Sequence, residues 1–446
     1  MPVFYPIIKH VTEGGGGGSS VSPKDVNFYD YDGTLLHSYT VAEAQALTEL
    51  PPLPEQEGLI CQGWNWTLED IKAENKEVDV GATYITDDGK TRLYVEIAAD
   101  GRMEVALSFY QDQLNGIVID WGDGSATETV GNSNYAKPKH TYSSVGDYVI
   151  TLDPIDGCTL QLGGKNVHSV MGGHSSAPTL RAYPNMLKKA ELGRNVSFKE
   201  TAFYICPALR TVTLPKGIAD IELGAFQGCY SLLSIVIPNG VKTIGNRSLY
   251  TCRSLKVISM PNGLTSIDDQ AFYQCVALST VTVPNSVTTL KGWFDGSTTL
   301  ARASLPSGIT TIFSNAFNLC YCLSKVVIPN GVTIIPQKAF YYCEVLPSIE
   351  IPNSVATIEA NAFYQCYSLT SVVIPNSVTT IGSASFGKCT SVKYYDFTSH
   401  TAVPAIQSTS FTSLSNDCEI RVPASLYNEW IAATNWSNFT DYIVPV

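Results

Sequence analysis

A proline that closes a short β-branched run recurs at Pro215, Pro238, Pro261, Pro284, Pro306, Pro329, Pro352 and Pro375, in steps of 23 residues with a single step of 22. A fixed period of this size restricts the chain to a solenoid, because one such unit buries too little alone and has to stack on its neighbours. Two further columns keep the same phase. Phe203, Phe226, Phe272, Phe294, Phe317, Phe340, Phe363 and Phe386 form one, and Cys206, Cys229, Cys252, Cys275, Cys320, Cys343, Cys366 and Cys389 form the other.

The unit reads A-F-x-x-C-x-x-L-x-x-V-x-I-P-N-x-V-x-x-I and is best preserved from Ala362 to Ile381. Residues one and three before the proline are apolar, as in Ile237 and Ile235 or Ile374 and Val372, which is the period of a strand. Proline ends each strand because it has no N–H for the ladder. The Asn-Gly or Asn-Ser that follows, as in Asn239-Gly240, Asn330-Gly331 and Asn353-Ser354, is turn chemistry. Val241, Ile244, Leu249 and Leu255 supply the return arm, with a short helical or 3₁₀ turn expected around A-F-x-x-C. About ten coils at roughly 4.8 Å each predict a rod of about 50 Å.

On these residues the sequence resembles the BspA-like leucine-rich-repeat family, whose hallmark is the A-F-x-x-C-x-x-L-x-x-V-x-I-P phrase. The likeness covers roughly half of the chain. It implies a binding or adhesion surface and no catalysis. The pattern departs at Ser248-Leu249, where Ala-Phe is lost, and from Trp293 to Leu300, where Thr298 is read as the substitute for the ladder cysteine. Either departure could mark a local bulge or a specialised face.

Eight of the twelve cysteines sit at that one repeat position, where they behave as small buried hydrophobes, and Thr298 fits the same size requirement. Disulfides along the column would need neighbouring side chains to turn toward each other, and the spacing provides no metal-ligand cluster. Reduced thiols and assembly in a cytoplasm are expected, with no cofactor and no metal. The net charge is −12 with only 15% charged residues, so no basic stripe exists to neutralise phosphates and a nucleic-acid partner is disfavoured. No apolar run approaches the roughly 20 residues that a bilayer needs.

Residues 1–22 read as a tether: an apolar peptide from Pro2 to Val11, without the features of a secretory signal, then the linker Gly14 to Gly18. Residues 23–82 read as a small α+β attachment module. Its first phrase, VNFYDYDGTLLHSY, is a hairpin about Asp32-Gly33. The same letters contain the D-x-D-G-T phrase of haloacid-dehalogenase-like phosphatases, with Asp30 as nucleophile and Asp32 as acid/base, but the alternating βα pattern such a site needs is missing. Thr40 with Glu43 makes a capping box for one short helix, and Thr67 caps a second after GWNW. Trp64 and Trp66 read as a packed aromatic anchor or a partner contact. Asn27 to Ala73 resembles an amino-terminal module of phage virion proteins.

Residues 83–153 turn all-β, with hairpin turns expected at Asp88-Gly89 and Asp100-Gly101. IDWGDGS, Ile119 to Ser125, with His140-Thr141-Tyr142 and Tyr148, resembles the polycystic-kidney-disease (PKD) domain, an immunoglobulin-like sandwich with Trp121 in its core. Asp120 and Asp123 raise the question of calcium; the ligand run is missing, so Asp123 is read as capping a turn and His140 as its hydrogen-bond partner. Residues 154–189, rich in Gly, Ser and His (His168, His174), are read as a connector and amino-terminal cap. Residues 190–422 are the solenoid, and 423–446 a carboxy-terminal cap built on Leu426, Trp430, Trp436, Phe439 and Ile443.

The expected fold is mainly β with short helices: a leucine-rich-repeat solenoid preceded by a PKD-like β-sandwich and a small amino-terminal module. Two surfaces are candidates for binding. One is the sheet face two and four residues before each proline, with Thr211, Thr213, Ser234, Val236, Thr280, Thr282, Arg302, Lys325, Ser348 and Glu350. The other is an aromatic ridge of Tyr204, Tyr230, Tyr250, Tyr273, Tyr321, Tyr341, Tyr342, Tyr364 and Tyr367, residues suited to glycan or protein recognition or to stacking on one another. The resemblances together imply a non-enzymatic virion protein of a tail fibre, baseplate or capsid surface. Its amino-terminal segment would meet other virion proteins, its solenoid a host glycan or protein, and homo-oligomers fit the same role. The alternative is a bacterial cell-surface adhesin.

Overall fold

The computed structural model describes residues 23–98, 103–111, 116–131, 136–155, 158–164, 169–171, 186–291 and 294–446. The tether peptide, the Asp100-Gly101 turn, His168, His174 and Trp293 lie outside the described residues.

The amino-terminal module is a four-stranded sheet in the order β2-β1-β4-β3. Its strands are β1 (Val26–Tyr29), β2 (Leu35–Tyr39), β3 (Leu59–Trp64) and β4 (Val78–Thr86). The β1–β2 hairpin turns at Asp32-Gly33 as expected, with Gly33 at φ +91°. Helices α1 (Val41–Ala46) and α2 (Leu68–Glu74) both start on complete capping boxes, Thr40 with Glu43 and Thr67 with Asp70. The module extends to Thr86, past the expected boundary at 82. Asp88-Gly89 therefore does not join two strands of one hairpin. It carries the chain from β4 into another sheet, where β5 (Thr91–Ile97) finds different partners.

That second sheet has six strands in the order β15-β13-β5-β11-β8-β9. Facing it are β6 (Glu104–Ala106) with β10 (Lys139–Thr141), and β7 (Tyr110–Gln111) with β12 (Leu160–Leu162) and β14 (Val196–Phe198). The remaining members are β8 (Ile117–Asp120), β9 (Glu128–Val130), β11 (Gly146–Pro154), β13 (Leu187–Glu191) and β15 (Thr211–Thr213). Trp121 is buried between the layers, and the Tyr142 hydroxyl donates to its carbonyl at 2.8 Å.

These sheets do not end where the repeats begin. β5 pairs antiparallel with β13, Leu93 opposite Ala190, and β12 pairs parallel with β14. One hydrophobic core accordingly runs from Leu93 to Ile443. The first coil is thus covered by β5 of the sandwich and by β12, which lies within the expected connector and cap at 154–189, and the ladder continues from the sandwich into the solenoid.

The solenoid makes about 11 turns. Each coil has three sides. The strand before the proline stacks in parallel with its neighbours, as Ser234–Val236 does with Val257–Ser259. A two-residue strand after the proline turn forms the second stack, as in Thr243–Ile244 beside Ser266–Ile267. The A-F-x-x-C side is the third, and it is not helical. Two residues per coil sit in the left-handed region, Lys338 at φ 55° and Tyr342 at φ 61° in one, Asn361 at 58° and Gln365 at 59° in the next. This turns alternate N–H groups along the solenoid axis: Phe340 donates to the Ala362 carbonyl and Tyr342 to that of Tyr364, both at 2.8 Å, while Tyr341 between them donates to the Lys338 carbonyl in its own coil at 3.4 Å. A helical turn would direct them back into its own coil and leave this side without a ladder.

Inside, the phenylalanines stack with ring centroids 5.4, 5.2 and 5.2 Å apart from Phe317 through Phe340 and Phe363 to Phe386. Leu249 replaces one ring without a bulge, since Phe226 still donates to the Ser248 carbonyl at 2.7 Å and Leu249 to that of Ala271 at 3.0 Å. From Cys229 onward each ladder thiol donates to the carbonyl of the phenylalanine position one coil earlier, as Cys366 does to Phe340 at 3.2 Å, while Cys206 in the first coil meets Ser169 Oγ at 3.5 Å. At the missing rung the donor is the Ser297 hydroxyl, 3.2 Å from the Phe272 carbonyl, and not Thr298. Counting 23 from Cys275 lands on Thr298, but this coil is the short one and its rung moves back by one. The position demands a small donor as well as small size.

At the far end α3 (Tyr427–Ala432) covers the last coil with Trp430, and Trp436 donates through Nε1 to the Pro404 carbonyl at 2.8 Å. The strand Ile443–Pro445 adds in parallel to Glu419–Val422 and ends the ladder.

Candidate functional site

The amino-terminal module lies on the strand side of the solenoid. Asn65 donates through Nδ2 to the Ile237 carbonyl and to Ser259 Oγ, both at 2.9 Å, and Trp66 donates through Nε1 to the Met260 carbonyl at 2.7 Å. From the other direction Ser234 Oγ donates to the Tyr31 carbonyl at 2.7 Å and Ser259 Oγ to that of Asp79 at 2.5 Å. Lys76 reaches the Val283 carbonyl and Asn285 Oδ1 at 3.1 Å each, while Glu77 takes Arg302 and stands 3.8 Å from Lys325. Gly81 provides the closest approach: a Cβ there would lie 2.5 Å from a methyl of Val236.

This divides the first candidate surface. Ser234, Val236 and Thr213 are buried, Thr211, Thr282 and Arg302 half-buried, so these do not form an open face. Thr280 stays exposed at the edge of the module, and the open strand face begins at Lys325 and continues through Ser348 and Glu350. Val327 and Val373, which outward alternation also places there, are 62% and 57% exposed.

The tyrosines do not make one ridge either. They come from three register positions, and Gln227, Asp295 and Asn318 interrupt the main one. Tyr204 stands apart. Tyr250 and Tyr273 stack at 4.7 Å, with Arg247 over Tyr250, and Arg253 lies over Tyr230. The dense group is Tyr321, Tyr341, Tyr342, Tyr364 and Tyr367, from three successive coils. Tyr341 and Tyr364 stack at 5.2 Å, Tyr341 and Tyr342 meet at 4.5 Å, and Tyr321 and Tyr342 at 6.2 Å. Lys338 and Lys388 sit over Tyr341 and Tyr364 at 5.3 and 5.6 Å. The hydrogen bond that the Lys388 ammonium donates to the Tyr364 oxygen holds it above its usual range, and desolvation raises Tyr342. Gln365 donates to the Tyr367 hydroxyl, and its buried Oε1 has no partner among the described residues. The five rings remain half-exposed, so stacking and accessibility coexist.

The acidic motifs resolve into turn chemistry. Asp30 accepts from the Tyr31 N–H at 2.8 Å and from Gln56 at 2.6 Å, and Asp32 from the Thr34 N–H at 2.9 Å. Asp123 accepts from the Ser125 N–H at 3.0 Å and meets His140 Nε2 at 2.7 Å. His140 in turn stacks on Trp121 at 5.0 Å. These bonds, those to Ser125 first, pull the Asp123 carboxyl down to about 2. Among the described residues no group of three or more metal-ligating side chains converges, and no helix is long and apolar enough to cross a membrane.

Sequence reasoning did not find the module–solenoid seam. GWNW was a usable signal, and its two tryptophans split the readings: Trp64 packs in the module, 5.1 Å from Phe28, and Trp66 faces the solenoid. Nothing local marks Gly81 or Lys76.

The family model described as the BspA type leucine rich repeat region matches residues 186–301 and 310–429, in six copies. Among solved structures, a leucine-rich repeat protein from Bacteroides ovatus is 23% identical with a TM-score of 0.46, covering 54% of this chain and 67% of its own. A leucine rich cell surface protein from Faecalibacterium prausnitzii is 19% identical with a TM-score of 0.29, covering 57% and 93%. The pneumococcal vaccine antigen PcpA is 18% identical with a TM-score of 0.38, covering 64% and 84%. No curated protein sequence matches the chain.

Proposed function

This chain belongs to the BspA-type leucine-rich-repeat family, and from that membership we propose that it is a non-enzymatic adhesion protein of the bacterial cell surface. It binds a host or neighbouring-cell protein or glycan. The observation that carries the reading is the group Tyr321, Tyr341, Tyr342, Tyr364 and Tyr367: five half-exposed rings from three coils, flanked by Lys338 and Lys388. Aromatic rings held rigidly by a solenoid give contact area at little entropic cost, and their hydroxyls give direction. The adjoining open strand face, from Lys325 to Glu350, lies on the same carboxy-terminal half that the module leaves uncovered. The engaged Asp30 and Asp32 support the absence of phosphatase chemistry.

The test is binding of the purified full chain to cultured epithelial cells and to extracellular-matrix proteins and glycans on a surface. Replacing Tyr341 and Tyr364 together by Ala should weaken binding about tenfold or more while the thermal midpoint of the remaining domains stays within a few degrees. Binding that survives the double substitution would remove the tyrosine group from the reading. The virion alternative rests on the likeness of Asn27 to Ala73 alone. Mass spectrometry of envelope and particle fractions separates the two locations: fixed stoichiometry with capsid or tail proteins would overturn the cell-surface placement.

A further inference from the structure

The seam between module and solenoid does not close completely. A cleft of about 270 Å³ remains, lined from the module by Tyr29, Glu77 and Asp79 and from the solenoid by Lys256, Thr280 and Arg302. Both walls are rigid. Asp79 stands in β4 directly beside Asn27 of β1, and Thr280 is the ladder partner of Arg302. Arg302 and Glu77 bridge the cleft and fix its width.

Its polar groups are only partly used. Asp79 accepts from Asn27 Nδ2 at 3.2 Å through one oxygen, and its other oxygen has no partner among the described residues. The Tyr29 and Thr280 hydroxyls and the Lys256 ammonium likewise make no side-chain hydrogen bond among the described residues. With Asp25 and Lys24 at its rim, carboxylates (Asp25, Glu77, Asp79) and cations (Lys24, Lys256, Arg302) line the cleft in equal number, three of each, so neither an anion nor a cation gains a net attraction. The space is just under the ~300 Å³ at which pockets for drug-sized ligands begin, which limits an occupant to something the size of one sugar ring.

We propose that this cleft binds a neutral saccharide unit, gripped between the module and the solenoid. A pyranose carries hydroxyls on successive ring carbons that donate and accept at once, matching a carboxylate oxygen, two hydroxyls and an ammonium held at fixed positions. Its C–H face suits the Tyr29 ring. A free carboxylate oxygen receiving sugar hydroxyls makes charge-assisted bonds, stronger than neutral ones. Retaining an acid here also has a price in the empty protein: burial pushes the Asp79 carboxyl up to about 6, although Asn would satisfy Asn27 equally well. Groups kept at such a cost concentrate where ligands bind.

The experiment is saturation-transfer NMR and calorimetry on the full chain with the methyl glycosides of glucose, galactose, mannose and N-acetylglucosamine, and with methyl glucuronide as the charged comparison. At least one neutral glycoside should bind, and Asp79→Asn and Thr280→Val should each weaken it about tenfold. Thr280→Val keeps strand propensity and leaves the module's own core untouched, so its effect is not a folding defect. Tyr341→Ala should leave this binding unchanged, which keeps the site independent of the tyrosine surface. Running the same sugar at the end of an immobilised glycan distinguishes a chain terminus from a free ligand, and binding in either arm supports the site. No neutral glycoside bound, affinity indifferent to both cleft substitutions, or preference for the glucuronide would each overturn it.

Discussion

The indole N–H of Trp66 donates to the Met260 carbonyl at 2.7 Å, so a side chain of the amino-terminal module satisfies the backbone of the solenoid just before one of its recurring prolines. The neighbouring Asn65 is buried and serves both bodies, donating to Ile237 and accepting from the Gly81 N–H at 2.8 Å. A buried amide committed on both sides is expensive to separate. The module is therefore docked by specific polar groups, and the half of the strand face beneath it is a structural seam.

Gly81→Ala should open that seam. Its Cβ would fall 2.5 and 2.6 Å from the two methyls of Val236, and both strands are rigid. Overpacking of this kind costs about 1–3 kcal/mol. Denaturant unfolding should change from one transition to two, with protease cleavage appearing near Asp87 to Lys90, and adding Val236→Ala should restore the single transition. A double variant no better than Gly81→Ala would refute the steric account.

The short coil gives a second test. Ser297→Cys keeps a small donor toward the Phe272 carbonyl and should leave stability close to that of the wild type, whereas Ser297→Ala removes this bond, leaves the carbonyl only the Cys275 N–H at 3.4 Å, and should cost about 0.5–1.5 kcal/mol. Thr298→Ala, one residue along, should do neither. Thermal or urea unfolding of the three variants decides it, and equal losses at 297 and 298 would contradict the assigned rung.

The same coil shows what the sequence makes legible. Columns of Pro, Phe and Cys reveal a solenoid because stacking demands the same chemistry at the same phase, and the carboxy-terminal tryptophans announce a cap because an open end must be covered. Register inside an irregular coil is not announced: one deleted residue can be absorbed at several points, and only the carbonyl that Ser297 reaches says where. The A-F-x-x-C side misled for a related reason. Ala-Phe-x-x-Cys is neutral between a helical turn and paired left-handed turns, and the choice is made by the next coil, which needs its carbonyls met. The sheet face is open from Lys325 through Glu350 but covered around Ser234, since the residues that cover Ser234 lie some two hundred positions away in the chain and carry no pattern pointing to it.

Thiol reactivity should divide sharply. Burial pushes the Cys206, Cys275 and Cys389 thiols up to about 12 and the other ladder thiols well above their usual range, so almost no thiolate forms at pH 8. Cys322 alone of the twelve is exposed, and Cys61 is half-buried. Reaction with a chromogenic disulfide reagent should release about one equivalent quickly and another slowly, and the remainder only on unfolding. Rapid release of several equivalents would mean that the ladder is open to solvent.

Asp79 sets the expected pH dependence of docking. Its carboxyl titrates near 6 in the folded chain against an ordinary 3.8, chiefly through burial, with the Asn27 bond opposing and Glu77 adding to the rise. Between those two values the folded form holds a proton that the unfolded form has released, so stability is fully present below about pH 4 and declines as pH rises through 6. Fully desolvated, the difference would be worth about 3 kcal/mol; Asp79 is only half-buried, and solvent screening leaves about 1–2 kcal/mol. Asp79→Asn keeps an oxygen for the Asn27 amide and loses the titration. It should match the wild type at pH 4 and exceed it by that amount at pH 7.5, flattening this part of the profile. Urea unfolding at pH 4, 5.5 and 7.5 reads the difference directly. Curves that run parallel across that range would show that the carboxylate is already compensated in the empty cleft, whereas a gap that widens with pH and then narrows when a neutral glycoside is added would tie the stored penalty to the ligand.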